Sequence, residues 1–230
     1  MVHQARGFES PCRSELCRSV LKGIRRTLGT APNEKAPLLA IDVREMVAAL
    51  PDTLLGFRDR ALLLLGFAGA FRRSELVALN VEDLAFTEDG LIVTLRRSKT
   101  DQEGHGRKIG VPALPASDAC PVRGLREWLA AAAITEGPLF RSVSSGRLHH
   151  ERLSDQTVAK VVKRHLPTGH DTAKYAGHSL RAGFVTSAAA GGASIKAICR
   201  TSGHRSIETV MRYIREASLF RGNALASTGL

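Results

Sequence analysis

The apolar residues of this chain follow a helical period on both sides of a short central stretch, and a strand period only within it. From Leu38 the spacing is helical. Asp42 is placed to cap a helix through Leu50, Pro51-Asp52 starts a turn, and a longer apolar helix is expected from about Phe57 to Phe71, with a short one from Ser74 to Leu79. The runs Gly90 to Arg97 and Arg107 to Val111 are β-like, and the polar, Gly-containing segment Ser98 to Gly106 between them predicts a hairpin. Helical spacing returns at Val122 to Ala133, Ser154 to His165, His178 to Ala190, Ser194 to Arg200 and Ser206 to Arg215. The expected class is therefore α+β, mainly helical with a small antiparallel β-sheet.

Ahead of this body, Ser14 to Arg26 reads as one amphipathic helix with Leu16, Val20, Leu21 and Ile24 on its apolar stripe and Ser14 as its N-cap. Gly29 to Pro37 carries two prolines among polar residues and reads as a linker. The expected boundaries are a basic helix and linker at 1–36 and a larger domain at 37–230. With 230 residues, 43% of them hydrophobic, the chain is long enough to bury a sizeable core. The longest apolar-dominated run, Ala61 to Phe71, falls far short of the roughly 18 residues that argue for a membrane span. The N-terminus has no apolar signal-peptide core, and Cys12, Cys17, Cys120 and Cys199 form no C-x-x-C pair. Both features point to a cytoplasmic protein with reduced thiols.

Against 22 Asp and Glu stand 33 Lys and Arg, a formal net charge of +11. Cations in such surplus favour a polyanionic partner, because each phosphate they neutralise releases condensed counterions. Only 5% of the residues are aromatic, too few for a platform on which single-stranded bases stack. Nucleic acid is the expected partner, and single-strand binding by stacking is disfavoured. On the helix at Ser154 to His165, Lys160, Lys163 and Arg164 read equally as a solvated face or as phosphate contacts.

Four segments carry chemistry. The apolar helix ending near Phe71 runs into Arg72-Arg73-Ser74-Glu75-Leu76. Arg97-Ser98-Lys99-Thr100 places a lysine at the start of the hairpin turn. His178-Ser179-Leu180-Arg181 sets a histidine and an arginine three apart, on one helical face. Gly203-His204-Arg205-Ser206 is followed by Tyr213, with Ser206 placed to cap the helix between them. Attack on a phosphodiester builds charge on its non-bridging oxygens, a target that planar guanidinium groups such as Arg72 and Arg181 match as a bidentate clamp. His178 and His204 suit hydrogen bonds to the same oxygens or exchange of a tyrosine proton near neutral pH. Tyr213 supplies a phenolic nucleophile whose ordinary pKa near 10 calls for activation, and Lys99 on the turn is the natural acid for a departing 5′ oxygen. Exchange of one phosphodiester for another conserves the bond energy. No ATP, metal or other cofactor is expected, in keeping with a sequence that has no P-loop motif and no clear zinc spacing.

From Pro37 to Arg215 these residues, in this order, resemble the tyrosine recombinases, the phage-integrase family of site-specific recombinases. The resemblance implies the integrase-like fold of DNA breaking-rejoining enzymes. It implies catalytic roles for Arg72, Lys99, His178, Arg181 and His204, Tyr213 as nucleophile, and Glu75 as a supporting carboxylate that orients a neighbour. Which histidine acts as the base stays open. Arg72, three residues before Glu75, is in the catalytic register, which leaves Arg73 as a surface or backbone-contacting residue. The implied activity is cleavage and rejoining of duplex DNA through a 3′-phosphotyrosine, by protomers assembled as a tetramer in synapse. A type IB topoisomerase-like relaxation activity and a non-catalytic DNA-binding remnant are the alternatives.

Several positions depart from the family pattern. Ala70 stands where glycine is frequent, Phe71 replaces a leucine, and Ser202 replaces the usual leucine before Gly-His. Residues 1–36 are expected to be the remnant of an N-terminal DNA-clamping domain. The apolar residues Leu219, Phe220, Leu225 and Leu230 are expected either to dock on a neighbouring protomer, as the resemblance implies, or to pack on their own domain or fray.

Overall fold

A computed structural model describes residues 6–29, 35–96, 106–204 and 206–217 of the chain. Two compact units are present, Met1–Glu34 and Lys35–Leu230. The first contains helix α1 (Glu15–Leu28), started by the Ser14 hydroxyl, which accepts a hydrogen bond from the Cys17 amide at 3.3 Å. Its apolar stripe, Leu16, Val20, Leu21 and Ile24, is exposed.

The second unit is helical apart from two small sheets. It begins with α2 (Ala40–Ala48), α3 (Leu54–Ala68) and α4 (Arg73–Ala78). Next come β1 (Leu84–Phe86), β2 (Gly90–Leu95) and β3 (Arg107–Pro112), an antiparallel sheet in that order. Helix α5 (Pro121–Ala131), the hairpin β4 (Arg141–Ser144) and β5 (Arg147–Arg152), and α6 (Asp155–Arg164) follow. The chain then forms α7 (Ser179–Ala190), α8 (Ile195–Ser202) and α9 (Ile207–Ala217). The expected hairpin is present, with Val93 opposite Ile109 and Leu95 opposite Arg107. Lys99 lies outside the described residues, as does the C-terminal apolar set.

The structure corrects two boundaries. Asp42 is inside α2 rather than its cap, and its carboxylate accepts the Leu39 amide hydrogen at 2.7 Å from the third helical position. Helix α3 begins earlier than expected because the Thr53 hydroxyl caps it, and it stops at Ala68 rather than running through Phe71. Ala70 then adopts a left-handed conformation, φ 48°, which ends the helix and turns the chain toward Arg72.

Leu62, Leu63 and Leu65 of α3 are fully covered and pack with Leu125 and Trp128 of α5, Leu76 of α4 and Leu180 of α7. Each such leucine contributes about 2 kcal/mol by leaving water. Trp128 satisfies its indole by donating to the Leu139 carbonyl at 2.9 Å. Gly183 lets α7 approach the backbone of Leu38, since a Cβ there would lie 1.5 Å from the Leu38 oxygen. That approach is held by the Leu38 amide donating to the Ser179 carbonyl at 3.0 Å.

One polar network lies within this core. Asp59 is fully buried, accepting from Arg58 Nε at 2.9 Å through one oxygen and meeting His165 Nε2 at 2.9 Å through the other. It ties α3 to the end of α6, where Arg164 also reaches the carboxylate at 3.6 Å. A smaller apolar cluster, Val185, Ile198 and Val210, joins α7, α8 and α9, with Tyr213 and Ile214 packed against it. This cluster carries α9, and with it Tyr213, onto the helix that bears Arg181. Among the described residues, no helix is long and apolar enough to cross a membrane.

Candidate active site

Of the six described side chains that the sequence singles out, five lie at or near the ends of secondary-structure elements, and Tyr213 lies within α9. Arg72 sits at the N-cap position of α4, where its amide donates to Glu75 Oε2 at 2.9 Å and its guanidinium pairs with the other carboxylate oxygen. Glu75 is 4% exposed, so the carboxylate both starts the helix and holds the Arg72 head in place. Arg73 points elsewhere, half exposed and paired with Asp155 at 3.0 Å. Of the two adjacent arginines, Arg72 is thus the one paired with Glu75 and Arg73 the one at the surface.

Arg181, in the first turn of α7, is 1% exposed. Its NH1 donates to the Ala70 carbonyl at 2.7 Å, so the left-handed turn at Ala70 has a second consequence: it supplies an acceptor to the most deeply buried cation of the site. Its NH2 is buried and has no hydrogen-bond partner among the described residues. Burial pushes the Arg181 pKa down to about 10, with the charges of Arg72 and Arg107 adding to the effect and Glu75 opposing it. The guanidinium is still protonated at neutral pH. His178 precedes the helix at its N-cap position and is exposed, so the two members of the His178-Arg181 pair differ sharply in their contact with water.

His204 follows α8 immediately after Gly203, whose left-handed φ of 68° ends that helix. Its Nδ1 lies 2.7 Å from the hydroxyl of Ser202, which is fully buried and itself donates to the Ile198 carbonyl at 2.7 Å. A hydroxyl has one hydrogen. With that hydrogen given to Ile198, Ser202 accepts from His204, which places the imidazole proton on Nδ1 and leaves Nε2 as an acceptor. Burial lowers the His204 pKa to about 4, reinforced by Arg181, Arg72, His178 and Arg107, so the ring is neutral at pH 7. The Tyr213 ring stands 6.5 Å from the His204 ring, tilted by 49°.

The site also contains a residue that the motifs do not mark. Arg107 opens β3, donates NH1 to the Thr201 carbonyl at 2.8 Å, and has its pKa lowered chiefly by burial, in the field of Glu75 and Arg72. In sequence it is one arginine of a basic strand, opposite Leu95, and nothing in the spacing separates it from its neighbours. Ser202 was visible only as a departure from the family pattern. Three guanidinium groups and one carboxylate thus share a site beside a neutral imidazole and a phenol. That composition calls for an anion.

The sequence pattern of the phage integrase family matches residues 38–219. The chain belongs to that family. An integrase/recombinase of Selenomonas ruminantium named as a XerD homolog is 43% identical over 230 residues, covering 97% of this chain and 67% of the relative. A tyrosine recombinase of Synechococcus elongatus is 33% identical over 206 residues, covering 88% of this chain and 58% of the relative. A XerC recombinase of Syntrophus aciditrophicus is 29% identical over 192 residues, covering 81% and 59%. The chain therefore spans roughly three fifths to two thirds of these relatives' lengths. Among solved structures, the XerH site-specific recombinase in a post-cleavage complex with its difH substrate superposes with a TM-score of 0.60 at 16% identity, covering 84% of this chain and 52% of XerH. The XerA recombinase superposes at 0.59 with 21% identity, covering 92% of this chain and 76% of XerA. At these identities the likeness is one of fold, and the fold is that of the recombinase catalytic domain. These relatives give no support to a topoisomerase-type or non-catalytic reading.

Proposed function

We propose that this chain carries the catalytic domain of a site-specific DNA recombinase, a strand transferase that cuts and rejoins duplex DNA through Tyr213. The observation that carries the reading is the His204 ring 6.5 Å from the ring of Tyr213, in the field of Arg72 and Arg181, with a buried guanidinium nitrogen of Arg181 that has no partner among the described residues. Arg72 and Arg181 hold the non-bridging oxygens of the scissile phosphate, and Glu75 keeps Arg72 in place. His204, neutral with Nε2 bare, takes the phenolic proton as Tyr213 Oη attacks phosphorus, and His178 donates to a phosphate oxygen. The bond from phosphorus to the 5′ oxygen breaks, Lys99 protonates the departing oxygen, and a 3′-phosphotyrosine remains. A second 5′ hydroxyl reverses the step on a new strand. Each step exchanges one phosphodiester for another, so the reaction needs neither nucleotide nor metal. The full reaction takes place in a tetramer of protomers in synapse on DNA, in the cytoplasm. Residues 1–36 contribute the end of a DNA-clamping domain.

The test uses a nicked duplex substrate from which the short cleaved strand diffuses away, trapping the covalent intermediate. The intact protein gives a protein-DNA adduct on a denaturing gel, undiminished by chelator, and Tyr213→Phe gives none. Absence of the adduct with the intact protein, or its persistence in the phenylalanine variant, overturns the assignment.

A further inference from the structure

Arg107 occupies an unusual position for a strand residue. Its guanidinium reaches from the first position of β3 to the end of α8, where NH1 donates to the carbonyls of Thr201 at 2.8 Å and Arg200 at 3.4 Å. These carbonyls are left over by the helix end, so one edge of the fork is satisfied. The plane of the guanidinium lies against Gly203: a Cβ there would come within 2.5 Å of NH1 and 2.6 Å of the central carbon. Glycine at 203 therefore does two things. It accepts the left-handed turn that ends α8, and it leaves room for this arginine beside His204.

The other edge of the fork is unsatisfied. Among the described residues, Arg107 NH2 is buried and has no hydrogen-bond partner, and the same is true of Arg181 NH2 and Thr186 Oγ1. Leaving a buried N–H of a charged group unpaired costs more than a neutral hydrogen bond contributes, so two such groups in one cluster are a strong demand for an acceptor. Both belong to the same field. The charge of Arg107 acts on Arg181 and on His204, while Arg72 and Glu75 act on Arg107. Glu75 is already committed to Arg72 through both oxygens, so it has little left to offer the other two guanidinium groups.

The geometry points to Arg107 as a third guanidinium of the active site, donating NH2 to a non-bridging oxygen of the scissile phosphate together with Arg72 and Arg181. The proposal rests on the strand-transferase reading of this site. One edge of Arg107 braces the end of α8 and so the position of His204, and the other edge meets the anion. A lysine reproduces the charge but not the two edges.

The experiment compares Arg107→Ala and Arg107→Lys with the intact protein in single-turnover cleavage of the nicked substrate, each with an ordinary scissile phosphate and with a methylphosphonate, which lacks one charged non-bridging oxygen. Circular dichroism establishes that each variant is folded. Loss of one oxyanion donor costs about a hundredfold or more in the chemical step. The expected result is a loss of that order for Arg107→Ala on the phosphate, a smaller one for Arg107→Lys, and recovery of at least about tenfold on the methylphosphonate, where less charge develops. Equal losses on both substrates make Arg107 a bracing residue only, and an unchanged rate removes it from the site. Both results overturn the proposal. Thermal melting in inorganic phosphate separates its failure from that of the reading beneath it. If the intact protein forms no adduct, the strand-transferase assignment falls. A phosphate-dependent rise in Tm that the intact protein shows and a folded Arg107→Ala lacks still places Arg107 in an anion site, and a rise equal in both denies it.

Discussion

Replacing Glu75 with glutamine removes a carboxylate whose charge bears on all three guanidinium groups of the site. The glutamine oxygen can still accept the Arg72 amide, so the start of α4 survives and the perturbation is largely one of charge. Breaking a buried ion pair from one side costs about 3–5 kcal/mol, because the remaining charge stays buried and unpaired. The Arg72 side chain keeps 22% of its exposure while that of Glu75 has 3%. Water therefore screens part of the orphaned charge, which sets the expectation at the lower end, about 3 kcal/mol. For a unit of this size each kcal/mol moves the melting temperature by about 2–4 °C, so Glu75→Gln melts about 6–12 °C below the intact protein. Thermal denaturation followed by circular dichroism reads this directly. Inorganic phosphate supplies the missing negative charge, and a ligand at a hundredfold its Kd stabilises by about 2.7 kcal/mol. Phosphate therefore narrows the gap between the two proteins, since the variant has the greater need of an anion. A variant that melts within about 2 °C of the intact protein, or a gap indifferent to phosphate, refutes the view that Glu75 compensates a shared cationic cluster.

Outside the site, Asp59→Ala leaves Arg58 buried without its partner and costs about 3–5 kcal/mol, read by urea denaturation, whereas Arg58→Met with Asp59→Leu recovers most of that loss. Because the pKa of His204 falls from 6.5 to about 4 on folding, the folded chain binds fewer protons between those values. This part of the stability is complete above pH 6.5, declines as pH falls toward 4 and changes no further below it; His204→Gln lacks that part of the pH slope. Ser202→Ala frees the imidazole to move its proton: ¹⁵N spectra of the intact protein show His204 protonated at Nδ1, the alanine variant shifts toward Nε2–H, and Ser202→Thr restores the original form. A spectrum unchanged by the alanine substitution excludes Ser202 as the group that sets the tautomer.

Much of the fold was legible in the sequence because its elements carry strong local signals. The central hairpin shows as a change of period, α1 starts at the serine expected to cap it, and α4 to α9 begin within a residue or so of their expected positions. What was missed has weak local signals. Strand β1 has three residues, and the β4–β5 hairpin is built mostly from polar, partly exposed residues, so neither shows an alternating pattern. The end of α3 was misplaced because Gly69, Ala70 and Phe71 continue its apolar composition, while the chain itself turns at Ala70 to meet Arg181. Buried Asp59 falls in a helix that otherwise reads as apolar, and its hydrogen-bond partner His165 is far along the chain.

For the site, the sequence by itself determined the candidate residue types and their order, since Arg72, His178, Arg181, His204 and Tyr213 are recognisable from short spacings along the chain. The register of Arg72 against Glu75 even distinguished one of two adjacent arginines, because that contact spans a single helical turn. Only the tertiary structure decided how charged or how wet each of these groups is. His178 and Arg181 are three residues apart, yet one is exposed and the other is 1% exposed, because burial depends on what α7 packs against. The tautomer of His204 depends on one hydroxyl having already given its hydrogen to the Ile198 carbonyl. Arg107 enters the site by reaching from a strand to a helix end 93 and 94 residues away. Local spacing reports what is covalently near, while electrostatics and hydrogen bonding act through space, and only the folded chain brings these distant groups within their range.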